Sequence, residues 1–151
     1  MTKNEIVIDS GALLEYLKLI IDSSNNPLKG AKRDRLVQYL ELFKSRKLLI
    51  VPQVLAEIYS LLKRDAKDSN IQLKHCLEII ENPHLNGLQE YYVQKLEIMK
   101  NKKYLDFGFT DIALIKVLNQ NNFLLSNDYG LVQLCRGFQG LDAYHVEEIL
   151  D

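Results

Sequence analysis

Short apolar runs of strand type alternate along the chain with longer stretches that have helical spacing. The run from Glu5 to Ile8 ends at an acidic residue, and apolar residues then recur at helical spacing from Ala12 to Ile20. The first half therefore predicts a strand over 5–8, a helix from Ala12, a loop over 22–30, a helix over 31–47, a strand over 48–51 and a helix from Pro52 that ends between 63 and 68.

The same alternation continues in the second half. Its patterns predict helices over 71–80 and 90–100, a short strand around Leu88, a helix from an N-cap at Thr110 through Asn121, a buried strand over 123–126, a short helix after Leu131, and an edge strand over 143–145. Strands that alternate with helices predict an α/β fold with a central, mostly parallel sheet covered on both faces.

Length and composition predict one domain over residues 1–151, because 47% apolar residues suffice for a full core at this size. The apolar stretch from Leu13 to Ile21 is interrupted by charges and predicts neither a signal peptide nor a membrane span. The cysteines and histidines lack the spacing of a disulfide framework or a zinc site: Cys76, Cys135, His75, His84 and His145. We therefore expect a cytoplasmic protein without membrane contact.

The net charge of −1 hides an asymmetry between two parts of the chain. Residues 1–103 hold 17 Lys and Arg against 13 acids, whereas residues 104–151 hold 2 against 7, so the parts carry about +4 and −5. An acidic pocket beside basic flanks would concentrate metal ions and phosphates at one place. Solvated helix faces are the alternative explanation of such charge blocks.

Two acids follow strand-type runs. Asp9 comes directly after Ile8, and Asp128 comes two residues after Ser126. Because the carboxyl ends of parallel strands share one edge of a sheet, where ligands bind, both carboxylates are candidates for a site there. A capping role in the turn after the strand is the alternative for either residue alone.

Two further acids lie on predicted helices. Asp111 shares a helix face with Leu114 and Leu118, so it points toward the core, where an unpaired charge is costly. Placement in the first helical turn also suits the helix dipole. This explains the position of Asp111 along the helix but not why its side chain points toward the core. Glu57 lies at the border of the apolar face of the helix after Pro52, where a solvated role is the alternative.

These four acids would form a cluster without a basic partner. Clustered carboxylates raise one another's pKa unless a hard divalent cation neutralises them, and Mg²⁺ or Mn²⁺ is the candidate. Such a site can activate water for attack on a phosphodiester without a covalent intermediate. An aspartate-nucleophile phosphatase would need a second Asp where Gly11 stands, and no phosphate-loop or dinucleotide motif is present. The residues therefore predict a metal-dependent phosphodiesterase.

Four segments of the chain resemble the PIN-domain family of nucleases, which includes the toxins of VapBC-type toxin–antitoxin pairs. They are the segments that carry the four acids: residues 6–13, 51–58, 109–115 and 124–128. The resemblance implies a three-layer PIN-like fold, dependence on Mg²⁺ or Mn²⁺, and cleavage of RNA. It also implies the residue roles, with Ser126 supporting the site by hydrogen bonding and four residues as metal-binding and catalytic positions: Asp9, Glu57, Asp111 and Asp128.

Substrate and biological role are open at this level, since residues 64–103 match no motif of the family. Candidate phosphate-binding residues are Lys29, Lys32, Arg33, Arg35, Lys100, Lys102 and Lys103, and candidate base-stacking residues are Tyr104, Phe107 and Phe109. Buried packing is the alternative for Phe107 and Phe109. Asp106 is a candidate auxiliary acid.

Three partners follow as candidates: an RNA substrate, an antitoxin protein and a second copy of the chain in a homodimer. The alternative function is a catalytically silent PIN-like module that binds RNA or protein. Since such a module would have lost its acids, the presence of all four favours the ribonuclease.

Overall fold

The computed structural model describes residues 3–65, 74, 78, 89–100, 108–138 and 140–149. Five strands lie in this part of the chain: β1 (Glu5–Ile8), β2 (Lys47–Ile50), β3 (Gln89–Glu90), β4 (Asn122–Ser126) and β5 (Asp142–His145). They form one sheet in the order β3-β2-β1-β4-β5, and every neighbouring pair is parallel. The predicted parallel sheet is therefore confirmed.

Helices flank this sheet. Seven are described: α1 (Ser10–Asn25), α2 (Gly30–Phe43), α3 (Pro52–Asp65), α4 (Lys95–Met99), α5 (Gly108–Val117), α6 (Tyr129–Arg136) and α7 (Val146–Ile149). Helix α1 contacts α2 and α3, α3 contacts α5, and α6 contacts β4 and β5. The molecule thus has the predicted three-layer α/β fold. Within the described residues, no helix is long and apolar enough to cross a membrane.

The central strands are buried on both faces, which explains their unbroken apolar runs. Ile6, Val7 and Ile8 of β1 are completely buried, and all five residues of β4 are buried. Ile8 pairs with Leu125, so β1 and β4 end side by side. Whatever follows these two strands is held at one edge of the sheet.

Several predicted helix boundaries are wrong. Helix α1 continues to Asn25, into the predicted loop, because Ile21 packs into the core and stabilises the last turns; the hydroxyls of Ser23 and Ser24 donate to the carbonyls of Ile20 and Ile21. Helix α5 begins at Gly108, whose φ of 78° turns the chain there, so Thr110 lies inside the helix and does not cap it. The helix predicted to run through Asn121 ends at Val117.

Other predicted elements differ mainly in extent. The predicted helix over 90–100 is shorter, Lys95–Met99, and the strand expected around Leu88 is β3 at Gln89–Glu90. Helix α2 ends at Phe43, four residues before the predicted end. The edge strand predicted over 143–145 is confirmed as β5. The helix predicted over 71–80 falls outside the described residues, apart from two positions.

The sheet has a point where its connections change direction. The chain passes from β1 to β2 on one side, whereas β4 and β5 lie on the other side of β1. Crevices outside the carboxyl ends of strands at such a point are the usual ligand sites of open parallel sheets. Asp9 and Asp128 follow the two strands that meet there.

An aromatic cluster fixes α2 against α1. The rings of Tyr16, Tyr39 and Phe43 contact one another with centroids 5.1 to 5.6 Å apart, and all three side chains are buried. Edge-to-face and tilted contacts of this kind add to the stabilisation that comes from burial. Phe43, the last residue of α2, contacts both tyrosine rings.

We predict that Phe43→Ala lowers the free energy of unfolding by about 3–5 kcal/mol, the usual cost of removing a buried aromatic ring. Leu40→Ala, on the same helix but 44% exposed, is the matched control and should cost under about 1 kcal/mol. Urea denaturation followed by circular dichroism measures both. Equal losses in the two variants would contradict the cluster's role.

Candidate active site

Asp9 is the buried centre of the site. It follows β1 and is 7% exposed, and its backbone N–H donates to the carbonyl of Leu125 on β4 at 3.0 Å. Its Oδ1 accepts from the backbone N–H of Ser10 at 2.7 Å, so it caps α1. Its Oδ2 accepts from the hydroxyl of Ser126 at 2.7 Å. Both oxygens are therefore held in place by donors.

Ser126 joins two of the acids. Its completely buried hydroxyl donates to Asp9 and accepts from the backbone N–H of Asp128 at 3.0 Å. Asp128 in turn caps α6, because its Oδ1 accepts from the backbone N–H of Leu131 at 3.2 Å. The supporting position of Ser126 beside the two acids is thus present in the structure.

Ser10 makes the equivalent connection to a third acid. Its hydroxyl donates to Oε2 of Glu57 at 2.7 Å and lies 3.3 Å from Oδ1 of Asp9. Glu57 is half-buried on α3, which packs against α1. The sequence pattern did not single out Ser10. The signal it offered was a hydroxyl residue directly after the acid at the strand end.

Asp111, half-buried on α5, interacts electrostatically with the other three acids. Burial, and then the charges of Asp9, Asp128 and Glu57, raise its pKa from 3.8 to about 7. Burial likewise raises the pKa of Asp9, with hydrogen bonds from Ser126 and Ser10 opposing the rise and the charge of Glu57 adding to it. The charges of all four predicted acids therefore act on one another at the carboxyl edge of the sheet.

Cys135 of α6 lies beneath this site. Burial, and then the charges of Asp111 and Asp9, raise the pKa of its thiol to about 12. A thiol in that state is a neutral, apolar side chain at physiological pH and a poor metal ligand.

The chemistry of the donor set fits a hard divalent cation. Four carboxylates supply only oxygen ligands, and the shifts at Asp9 and Asp111 include no contribution from a basic side chain. Yet in the placement described here, no three His, Cys, Asp or Glu side chains of the described residues form a group that could hold one ion. The carboxylates would have to move closer together to share a cation.

Two cavities lie near the carboxyl edge of the sheet, and the first has Glu57 in its lining. One of about 450 Å³ lies between α3 and α5 and is lined by Gln53, Ala56, Glu57, Ser60, Leu61 and Thr110. Another of about 380 Å³ lies beside α1, where Lys18 and Lys32 join Gly11 and Asn127 in its lining. A larger one, of about 720 Å³, lies at the amino ends of the strands, at the edge opposite the acids. Its size does not make it the functional site.

The candidate substrate-binding residues differ in their exposure and ion pairing. Arg35 pairs with Glu15 at 2.7 Å and with Glu147 at 2.8 Å, so its charge is already used within the fold. Lys32 is exposed and lines the cavity beside Asn127. Phe109 is 54% exposed, which contradicts buried packing for this ring. Four candidates lie outside the described residues, as does Asp106: Lys102, Lys103, Tyr104 and Phe107.

Asn127 is a second residue that the sequence pattern did not single out. It stands between Ser126 and Asp128, and its side chain lies so close to Gly11 that a β-carbon there would collide with it. Its carbonyl is within 3.0 Å of Nε2 of His145. Gly11 therefore serves the close approach of α1 to the chain after β4.

Two solved structures share this fold. The crystal structure of PAE2754 from Pyrobaculum aerophilum matches with a TM-score of 0.59 and 16% identity, over 97% of this chain and 87% of that one. A domain of a functionally unknown protein from Methanocaldococcus jannaschii matches with a TM-score of 0.51 and 17% identity, over 94% and 90%. No protein-family model and no curated protein matches the chain. The likeness therefore supports the three-layer α/β fold alone.

We predict that Asp111→Asn stabilises the metal-free protein at neutral pH. The charged form of Asp111 is disfavoured in the folded state, so wild-type stability falls as pH rises from about 4, the unfolded pKa, through about 7. After solvent screening, the variant should gain about 2 kcal/mol over wild type above pH 7, and this gain should shrink toward pH 4.

Urea denaturation in EDTA at several pH values between 4 and 8 checks this prediction. Glu41→Gln, which removes an exposed carboxylate on α2, is the control and should follow the wild-type curve. A gain for Asp111→Asn that stays constant over this pH range would show that the carboxylate is not under electrostatic strain.

Proposed function

We propose that the protein is a divalent-metal-dependent endoribonuclease that hydrolyses phosphodiester bonds at the Asp9, Glu57, Asp111 and Asp128 site. The observation that carries the proposal is the convergence of four acids from four separate segments on one edge, where their charges help to raise the pKa of Asp111 to about 7. A fold gains nothing from such crowding, so the cluster is best explained by a ligand that neutralises it.

The cation in this proposal is Mg²⁺ or Mn²⁺, held by the four carboxylates. When bound, it would polarise the phosphodiester and orient water for attack on phosphorus. The chain's own part is positioning, since Ser10 and Ser126 hold Glu57 and Asp9 through hydrogen bonds of 2.7 Å. Hydrolysis then adds a water oxygen to phosphorus and releases the sugar oxygen, which takes up a proton.

RNA is the proposed substrate because the four acid-bearing segments resemble those of PIN-domain nucleases. Lys18 and the exposed Lys32, which lies 3.8 Å from Asp22, line the cavity beside Gly11 and Asn127 and could neutralise phosphates of a bound strand. A cytoplasmic location, an antitoxin partner, action as a toxin and a homodimer belong to the same proposal, on the resemblance alone.

The central test is cleavage of single-stranded RNA by purified protein with Mg²⁺ or Mn²⁺. We predict that cleavage requires the cation, stops in EDTA, and falls at least about 100-fold in Asp9→Asn, because that variant removes the ligand that the site's hydrogen bonds orient. Glu41→Gln, an exposed site on α2, is the matched control and should cleave like wild type.

Thermal unfolding gives a second readout that does not depend on activity. Either cation should raise the melting temperature of wild type and of Glu41→Gln, and should raise that of Asp9→Asn much less. RNA binding that needs no cation, together with no cleavage by wild type, would favour the silent binding module. Growth arrest on expression that Asp9→Asn relieves would extend the result to a toxin.

We also predict that Ser126→Ala lowers cleavage about tenfold or more while leaving the protein folded. The loss would free one oxygen of Asp9 and the backbone N–H of Asp128 from their shared hydroxyl. Ser23→Ala is the matched control, since the hydroxyl of Ser23 donates to the carbonyl of Ile20 near the far end of α1. Cleavage rates and melting temperatures are measured for both, and equal rates would contradict a positioning role.

A further inference from the structure

Tyr129 is an exposed ring fixed beside the acid cluster. It is the first residue of α6, directly after Asp128, and it is 55% exposed. Its ring stacks on that of His145 with centroids 3.6 Å apart and an angle of 2° between the planes. The two rings are therefore parallel and overlap almost completely, and this leaves the outer face of Tyr129 toward solvent.

His145 is held rigidly beneath this ring. It is 5% exposed at the end of β5, and its Nδ1 accepts from the backbone N–H of Glu147 at 3.0 Å. With Nδ1 as the acceptor, Nε2 carries the proton and donates to the carbonyl of Asn127 at 3.0 Å. Both ring nitrogens are occupied, so the imidazole fixes the plane in which Tyr129 lies.

Aromatic side chains usually pack offset or edge to face, and they usually hide their faces. Tyr129 does neither. A flat, preorganised ring with one open face is the surface on which a nucleobase stacks, since every base offers a π-face and the ring loses no rotamer freedom on binding. The position of the ring next to Asp128 would place the phosphate of such a nucleotide close to the carboxylates.

We propose that Tyr129, supported by His145, is a nucleobase-stacking residue that positions single-stranded RNA over the acid cluster. This inference rests on the proposed function for its substrate class. It adds a subsite for the base that none of the four carboxylates supplies. Tyr129 is here a binding residue, and His145 acts through it as a positioning residue.

The test measures the affinity of a fluorescently labelled single-stranded RNA oligonucleotide by anisotropy, in the Asp9→Asn background so that the RNA is not consumed. Tyr129→Phe keeps the ring and should bind within about twofold of its parent. Tyr129→Leu keeps an apolar cover over His145 but has no π-face, and should bind about tenfold more weakly. Tyr92→Leu, 71% exposed beside the opposite edge of the sheet, is the matched control and should bind like the parent.

A second measurement needs no substitution at Tyr129. In a series of oligonucleotides that each carry one abasic nucleotide, one position should weaken binding to the parent about tenfold, because the base that stacks is missing there. Tyr129→Leu should lose this position dependence if it folds. Affinity that is indifferent to every abasic position would overturn the inference, as would a Tyr129→Leu that binds like Tyr129→Phe.

Failure of the stacking role and failure of the nuclease proposal give different results. Cation-dependent cleavage together with equal affinities of the Leu and Phe variants would reject the stacking role alone. No cleavage by wild type, together with the expected loss in Tyr129→Leu, would reject the nuclease and keep the stacking role. The absence of any RNA binding by the Asp9→Asn parent would overturn the inference.

Discussion

The buried carboxylate of Asp9 is the constraint on which the rest of the site depends. A carboxylate that is 7% exposed must be stabilised by donors, and these come from Ser10 on one side and Ser126 on the other. Ser126 is available only because β4 lies beside β1 and ends at the same level. The parallel pairing of the two strands therefore does more than form the sheet. It brings a hydroxyl from 117 positions away to the one oxygen that α1 does not cap.

The same arrangement brings several negative charges together, which costs free energy of folding. Ser10 links Glu57 to Asp9 by hydrogen bonds, and Ser126 links the backbone of Asp128 to Asp9. The charges of these three acids act on Asp111 of α5. Their mutual repulsion is relieved either by a proton on Asp111 or by a cation. In the proposed function, this one set of charges couples the stability of the fold to cation binding, so the stability of the metal-free protein tests that proposal.

The sequence pattern predicted what depends on local order and missed what depends on distant contacts. Asp9 and Asp128 follow apolar runs, and Asp111 falls on an apolar helix face, so their placement could be predicted from their neighbours. Ser10 meets Glu57 across 47 positions, and no periodicity encodes that contact. The same holds for the stack of Tyr129 on His145. Helix α1 also extends beyond its predicted end because of tertiary contacts: Ile21 packs into the core and stabilises the last turns.

Capping was the alternative explanation for the strand-end acids, and both Asp9 and Asp128 do cap the helices that follow them. Capping at these positions therefore does not exclude ligand binding.

For Asp111, the free energy gained from the helix dipole can be compared with the cost of its raised pKa. The helix dipole favours an acid in the first turn by about 0.3–1 kcal/mol, whereas a pKa raised from 3.8 to about 7 corresponds to a cost of roughly 4 kcal/mol before screening. The screened cost of about 2 kcal/mol is larger than this gain, so the helix dipole alone does not explain the position of Asp111. An acid whose charge costs the fold more than its helix gains, placed among three others, supports the proposed cation site.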